Sequence, residues 1–330
     1  MDSLTVIVPV FNEETVLGNF FERVSAVFDD LSESQAVEGE ILFVDDGSSD
    51  SSVEIIKDLA AQDRRISLIR LSRNFGKEAA LSAGLDHAES DAVVIIDADL
   101  QDPPELIPEM VRLWKEGYDT VYGQRTERRG ETFLKRYTAS LFYRFVGNLG
   151  RVSIPRDTGD FRLLSRRSVL ALRNLTESNR FMKGLFAWIG YRQIALRYSR
   201  DPRHAGETKF NYWKLWNFAL DGITSFTTAP LKLASYIGVV LSLSSFAYGV
   251  YVILKTLIYG DPVPGYPSLM TVVLFIGGIQ LLFLGVLGEY LGRMFDETKR
   301  RPLYLIEEHM RASPERPISI DDRAELKNEV

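Results

Sequence analysis

The run Val93-Val94-Ile95-Ile96 leads into Asp97-Ala98-Asp99-Leu100-Gln101-Asp102-Pro103-Pro104-Glu105, an apolar stretch of strand length that ends in carboxylates and a Pro-Pro turn. A buried parallel strand reads this way, and ligands of open α/β sheets bind outside the carboxyl ends of such strands. Two acids one residue apart at a strand end can chelate a hard divalent cation from one side, leaving its other positions to diphosphate oxygens and water. The same residues can also simply cap the strand and the next helix, so Asp97 and Asp99 do not decide by themselves. A calcium loop is suggested by Asp97, Asp99 and Gln101 at alternate positions. It fails because Asp102 stands where the turn needs Gly, and Pro108 where a bidentate Glu is required.

Positioning these acids requires a sheet, and the chain ahead of them supplies one. Leu4 to Val10, Glu40 to Val44 and Ile66 to Leu71 are apolar runs of strand length. Between them, a helix from Thr15 to about Leu31 presents Val16, Leu17, Phe20, Phe21, Val24 and Val27 on one face, and a second runs from Val53 to Gln62. A helix from Glu78 to Ala88 precedes the acidic strand, and a helix from Pro104 to Glu116 and a strand from Thr120 to Tyr122 follow it. Strands alternating with helices predict a doubly wound, mostly parallel α/β sheet. The second strand ends in Asp45-Asp46-Gly47-Ser48-Ser49-Asp50, which places further acids on the same edge. Gly76-Lys77 is no Walker motif, since Leu71 and Glu78 stand where Gly and Ser/Thr are needed, and no G-x-G-x-x-G opens the sheet.

Past the sheet's first half, Arg125, Arg128, Arg129, Lys135 and Arg136 make a basic run that reads either as a solvated face or as an anion site. Tyr137 to Leu149 carries an aromatic stripe. Arg156-Asp157-Thr158-Gly159-Asp160-Phe161-Arg162 is expected to gather charges round a Gly turn, ahead of a helix from Phe181 to Ile189 and a strand from Gln193 to Tyr198. Arg200 to Lys209 is a polar loop in which His204 reads as a surface residue. Asn211 to Thr227 is expected to be an amphipathic helix with Trp213, Trp216 and Phe218 at a headgroup layer. Arg293 to Met310 is expected to form a charged helix broken at Pro302, followed by a polar tail.

The chain has 330 residues, 45% hydrophobic and 25% charged, an ordinary globular average that hides a split. Leu233 to Leu254 and Leu269 to Gly288 hold no charge, and each run is about 20 residues, long enough to cross a hydrocarbon core. They predict a transmembrane hairpin at 229–290, after a catalytic domain at 1–210 and an interfacial helix at 211–228, and before a C-terminal helix and tail at 291–330. Met1-Asp2 lacks the positive start of a signal peptide. Lys209, Lys214 and Lys232 before the first span and Arg293, Lys299, Arg300 and Arg301 after the second put the catalytic domain and both termini on the cytoplasmic side of a bacterial-type membrane. The absence of cysteine excludes disulfides and thiolate metal sites. A net charge of −6 with no basic stripe argues against a nucleic-acid partner. Gly238, Gly249, Gly277 and Gly278 suit close helix contacts, and a homo-oligomer is expected.

With Pro9-x-Phe11-Asn12-Glu13, Val44-Asp45-Asp46-Gly47-Ser48-Ser49 and Asp97-Ala98-Asp99-Leu100-Gln101-Asp102-Pro103-Pro104-Glu105 in this order, the chain resembles family 2 glycosyltransferases with a GT-A fold. Within them it is similar to the polyprenyl-phosphate glycosyltransferases, relatives of dolichol-phosphate mannose synthase whose bacterial GtrB branch also has two C-terminal membrane helices. The resemblance implies that Pro9, Phe11, Glu13, Asp46 and Lys77 surround the donor nucleotide together with Asp97. It implies that Asp97, Asp99 and Gln101 hold Mg²⁺ or Mn²⁺, and that Arg125, Arg136, Ser140, Arg203 and Lys209 hold the acceptor phosphate. Thr158-Gly159-Asp160-Phe161 departs from the Ser-Gly-Phe-Phe form of the mannose synthases. Asp157 and Asp160 are candidates for a catalytic base beside Asp99, with a structural turn as the alternative.

The implied reaction moves a sugar from a nucleotide-sugar donor, glucose from UDP-glucose first, to polyprenyl (undecaprenyl) phosphate with inversion. UDP-N-acetylglucosamine, GDP-mannose and a UDP-aminoarabinose derivative are alternative donors. A processive synthase would need a Gln-x-x-Arg-Trp element and further spans, and neither is present. A scaffold or transporter subunit finds no support in two spans without an intramembrane ionisable pair.

Overall fold

The computed structural model describes residues 1–125, 158–178, 180–198, 229–259 and 265–312. The expectations for Arg136, Ser140, Asp157, Arg203, Lys209 and the helix at 211–228 lie outside these. In chain order the elements are β1 (Asp2–Val10), α1 (Leu17–Gln35), β2 (Val37–Asp45), α2 (Ser52–Gln62), β3 (Ile66–Leu71), α3 (Lys77–His87), β4 (Ala92–Ile95), a 3₁₀ turn (Pro104–Leu106) leading into α4 (Ile107–Lys115), and β5 (Thr120–Arg125). After these come β6 (Thr158–Ser165), α5 (Arg166–Arg173), α6 (Met182–Trp188), β7 (Gln193–Tyr198), α7 (Ala229–Tyr259), α8 (Tyr266–Thr298) and β8 (Ile306–Met310).

The strands form one mixed sheet in the order β7-β5-β6-β4-β1-β2-β3-β8. Its centre is parallel, with Leu4 opposite Ala92 on one side of β1 and Pro9 opposite Val44 on the other. The chain therefore winds from β1 outward to β3 and returns to β4 across the starting strand. That reversal leaves a crevice at the carboxyl ends of β1, β2 and β4, where open sheets bind ligands. β6 enters antiparallel to both β4 and β5, and β8 antiparallel to β3, while β1–β4 and the β5–β7 pair are parallel, so the sheet is mixed with the mostly parallel centre expected from the sequence.

The alternation of strand side chains builds two apolar layers. On one face Val6, Val8 and Phe43 pack with Phe20 and Val24 of α1. On the other face Ile7, Leu42 and Ile95 pack with Ala80 and Ala83 of α3. Small residues on α3 let it lie close: a side chain at Gly84 would put its Cβ 2.5 Å from Ile7 Cγ2. This close approach holds the amino end of α3, with Lys77, over the crevice.

Two expectations are corrected. Thr158 to Ser165 is a strand and not a turn at Gly159, with Arg162 opposite Ile95 and Tyr122. The C-terminal segment is not one broken helix. α8 runs on to Thr298, and Ile306 to Met310 then pairs along the free edge of β3, fixed by Ser72 N donating to Leu305 O at 2.9 Å, Ala312 N to Ser67 Oγ at 2.8 Å and a Lys57–Glu308 ion pair at 2.7 Å. The two charge-free runs fall inside the consecutive helices α7 and α8, which contact each other. Within α8, the 24-residue segment Phe275–Thr298 contains an 18-residue window of mean hydropathy 1.5, long and apolar enough to cross a membrane.

Candidate active site

Each wall of the crevice comes from a strand end. The end of β1 contributes Pro9, Val10, Phe11 and Glu13, the end of β2 Asp46, the turn after β3 Asn74 and Gly76, the first turn of α3 Lys77 and Ala80, and the end of β4 Asp97, Ala98 and Asp99. They enclose a cleft of about 290 Å³. The structure thus brings together Pro9, Phe11, Glu13, Asp46, Lys77, Asp97 and Asp99, all nominated from the sequence. Gln101 is buried and does not line the cleft, and its Nε2 has no hydrogen-bond partner.

Local hydrogen bonds set the loops. Asn12 adopts φ 56°, a left-handed conformation Asn tolerates, and its Oδ1 accepts from Ser49 N at 2.8 Å while its own N donates to Ser48 Oγ at 2.9 Å. This stitches the β1 loop to the β2 loop and leaves Phe11 46% exposed at the cleft mouth, an apolar ring open to a planar partner. Asp46 accepts from Phe75 N at 2.7 Å and Gly76 N at 2.9 Å, so its carboxylate ties β2 to the turn that carries Lys77.

A charged chain crosses the floor. The Lys77 ammonium lies 2.6 Å from Asp97 Oδ1 and 2.7 Å from Asp160 Oδ2, and donates to Asp97 Oδ2 at 2.8 Å. Burial pulls the Lys77 pKa down, but Asp97 and Asp160 outweigh it and keep the ammonium firmly charged. Burial pushes the Asp97 carboxyl above its usual range in spite of Lys77. Asp160 ends below the usual range, because Lys77 and Lys183 together outweigh burial. Asp99 makes no ion pair among the described residues, and its Oδ1 accepts from Gln101 N at 3.2 Å.

The sequence reading missed four participants. Glu78 sits behind Lys77, accepts from Met182 N at 3.2 Å, and is pushed up to about 7 by burial and by Asp160. Asp102, Tyr198 and Gly159 surround Arg125, outside the cleft lining. Only Asp102 had a visible signal, its place in the carboxylate loop. Gly159 and Tyr198 are brought in by long-range strand pairing, and Glu78 by its place on α3 beside Lys77.

A mixed α/β sheet with an acid-lined cleft at its strand-order reversal is the layout of a GT-A type transferase domain. Residues 5–172 match the family described as Glycosyl transferase family 2, and residues 229–294 match the GtrB C-terminal hairpin. The chain is 53% identical to an uncharacterized glycosyltransferase of Synechocystis over 92% of this chain and 94% of that one. It is 46% identical to the SfII prophage-derived bactoprenol glucosyl transferase of Shigella flexneri over 94% and 99%. Among solved structures, glucosyl-3-phosphoglycerate synthase from Mycobacterium tuberculosis, in complex with Mn²⁺, uridine-diphosphate and phosphoglyceric acid, aligns at TM-score 0.45 and 22% identity over 68% of this chain and 76% of that one. The chain belongs to glycosyl transferase family 2 and is a glycosyltransferase.

Proposed function

We propose that this enzyme transfers a sugar, glucose from UDP-glucose, to polyprenyl phosphate at the cytoplasmic face of a bacterial membrane. The observation that carries the reading is the near end-to-end similarity to bactoprenol glucosyl transferases in a chain whose donor-side residues share one cleft. The base stacks at Phe11, and the diphosphate lies toward Lys77 and the carboxylates. A hard divalent cation, Mg²⁺ or Mn²⁺, fits the hard carboxylate oxygens of Asp97 and Asp99, which both line the cleft, and two carboxylates suit a cation shared with diphosphate oxygens. Bound there it would neutralise the leaving diphosphate.

The remaining steps belong to the chain's own residues. Lys77, held between two carboxylates, adds positive charge where the diphosphate would lie. The acceptor phosphate, with a second pKa near 6, is largely dianionic at neutral pH and attacks the anomeric carbon without a general base. Asp160, paired and held below the usual carboxylate range, therefore orients Lys77 in place of taking a proton. Attack opposite the diphosphate inverts configuration, so an α-linked donor gives a β-linked lipid phosphate. Arg125 binds the acceptor phosphate, the role that Arg136, Ser140, Arg203 and Lys209 take by sequence resemblance. The charge-free runs in α7 and α8 form a hairpin that keeps the enzyme where the lipid's phosphate surfaces.

The test is a panel of labelled UDP- and GDP-sugars given to detergent-purified enzyme with undecaprenyl phosphate, with and without chelator. The reading expects label in the lipid from UDP-glucose alone, lost with chelator and restored by Mg²⁺ or Mn²⁺. Transfer from another donor would correct the sugar, and chelator-insensitive transfer would remove the metal.

A further inference from the structure

At the rim of the cleft, three side chains from distant parts of the chain close a ring. Asp102 is 1% exposed, at the end of the carboxylate loop that follows β4. Tyr198, the last residue of β7, donates its phenol to Asp102 Oδ1. Arg125, the last residue of β5 and directly opposite Tyr198 in the parallel ladder, donates from Nε to Tyr198 Oη at 3.4 Å and places Nη2 3.5 Å from Asp102 Oδ1.

Its surroundings pack closely round it. The absence of a side chain at Gly123 makes room for the Tyr198 ring, since a Cβ there would come 2.9 Å from Tyr198 Cε1, and the Phe161 ring stands edge-on to it at 6.1 Å. Burial and Asp102 push that phenol up to about 12, so it stays a proton donor at any working pH. A Cβ at Gly159 would come 2.8 Å from Arg125 Nη2, which makes glycine there the condition for the guanidinium to lie over β6. The Arg125 side chain remains 24% exposed, with its Nε toward Tyr198 and its Nη2 toward Asp102. A carboxylate buried beside a partly exposed guanidinium contributes little net stability, since an apolar pair of the same volume would fold as well. What it does supply is direction.

We infer that Asp102 and Tyr198 are positioning residues that aim Arg125 at the acceptor's phosphate and tie its placement to the donor carboxylate loop. Asp102 lies three residues after Asp99, so one loop carries a donor-side carboxylate at one end and the brace for an acceptor-side cation at the other. The inference rests on the polyprenyl-phosphate acceptor proposed above.

The experiment is a kinetic cycle on the full-length enzyme in detergent with Tyr198→Phe, Arg125→Ala and their combination, and with Asp102→Asn and Gly159→Ala beside them. Tyr198→Phe keeps the ring packing and removes only the hydroxyl, so it tests the brace even if Asp102→Asn fails to fold. Undecaprenyl phosphate is varied at fixed donor, and then the donor at fixed lipid. Tyr198→Phe and Gly159→Ala are expected to raise the lipid KM about tenfold, with the donor KM unchanged. In the Arg125→Ala background, Tyr198→Phe is expected to add nothing. Equal shifts in both KM values, or effects that multiply in the double variant, would overturn the brace while the wild type still transfers. A wild type that binds donor and leaves the lipid unmodified would overturn the acceptor reading and the inference with it.

Discussion

The chemistry of the cleft is set by how two carboxylates share one ammonium while a third stands apart. Lys77 contacts Asp97 and Asp160 but not Asp99, so two acids are spoken for by the protein and Asp99 remains for a ligand. Asp99→Asn should lower kcat/KM by about a hundredfold or more and weaken metal dependence, measured as turnover against Mn²⁺ concentration. Unchanged turnover would remove Asp99 from the site. Glu78 gives a second expectation, in stability. Its carboxyl rises in the fold from 4.5 to about 7, so the fold holds the proton more tightly than the unfolded chain does. The contribution is fully present below pH 4.5 and is lost as the pH rises through about 7. Glu78→Gln should therefore flatten the decline in urea midpoint over that window, and a parallel decline in both proteins would contradict the assignment. Asp97 and Asp99 were legible because strand and turn chemistry mark a strand end. The Lys77–Asp160 pair was not, because it joins residues far apart in sequence, and Asp160 consequently read as a base candidate.

Among the elements, β1 to β4 and the helices between them were plain in the sequence, since continuous apolar runs and helical spacing survive any reading frame. β6 was hidden by its own alternation. Thr158, Asp160 and Arg162 fall on one face and Gly159, Phe161 and Leu163 on the other, and the charges with a glycine imitate a turn. β8 was missed for the opposite reason: an edge strand reading Ile-Glu-Glu-His-Met has the charge density of a surface helix. Its function as an edge cover is testable. A chain ending before Leu305 should expose the β3 edge, lower the thermal midpoint and aggregate, and a soluble, equally stable truncation would show that the edge needs no cover. The fit of α3 on β1 offers another check. Gly84→Ala gains about 1 kcal/mol of helix propensity. Against this, it forces a Cβ to 2.5 Å from a fully buried Ile7, an overpacking that costs about 1–3 kcal/mol. Net destabilisation in urea is expected, and a stabilised variant would mean the helix can shift.

At the scale of the whole molecule, an acid-lined cleft, an acceptor-side arginine and a C-terminal hairpin follow one another along the chain. The proposed acceptor would explain the order, because a polyprenyl chain stays in lipid while its phosphate reaches the domain. The absence of native cysteine makes topology directly measurable. Asp261→Cys should react with a membrane-impermeant maleimide from outside intact spheroplasts, and Ser178→Cys only after lysis. The reverse pattern would invert the orientation. The most direct test of the central claim is the mass of the lipid itself. Undecaprenyl phosphate incubated with UDP-glucose, divalent metal and purified enzyme should gain one hexose on its phosphate, and Asp97→Asn/Asp99→Asn enzyme should leave it unchanged. A lipid of unaltered mass while the donor is consumed to free sugar would contradict a polyprenyl phosphate acceptor.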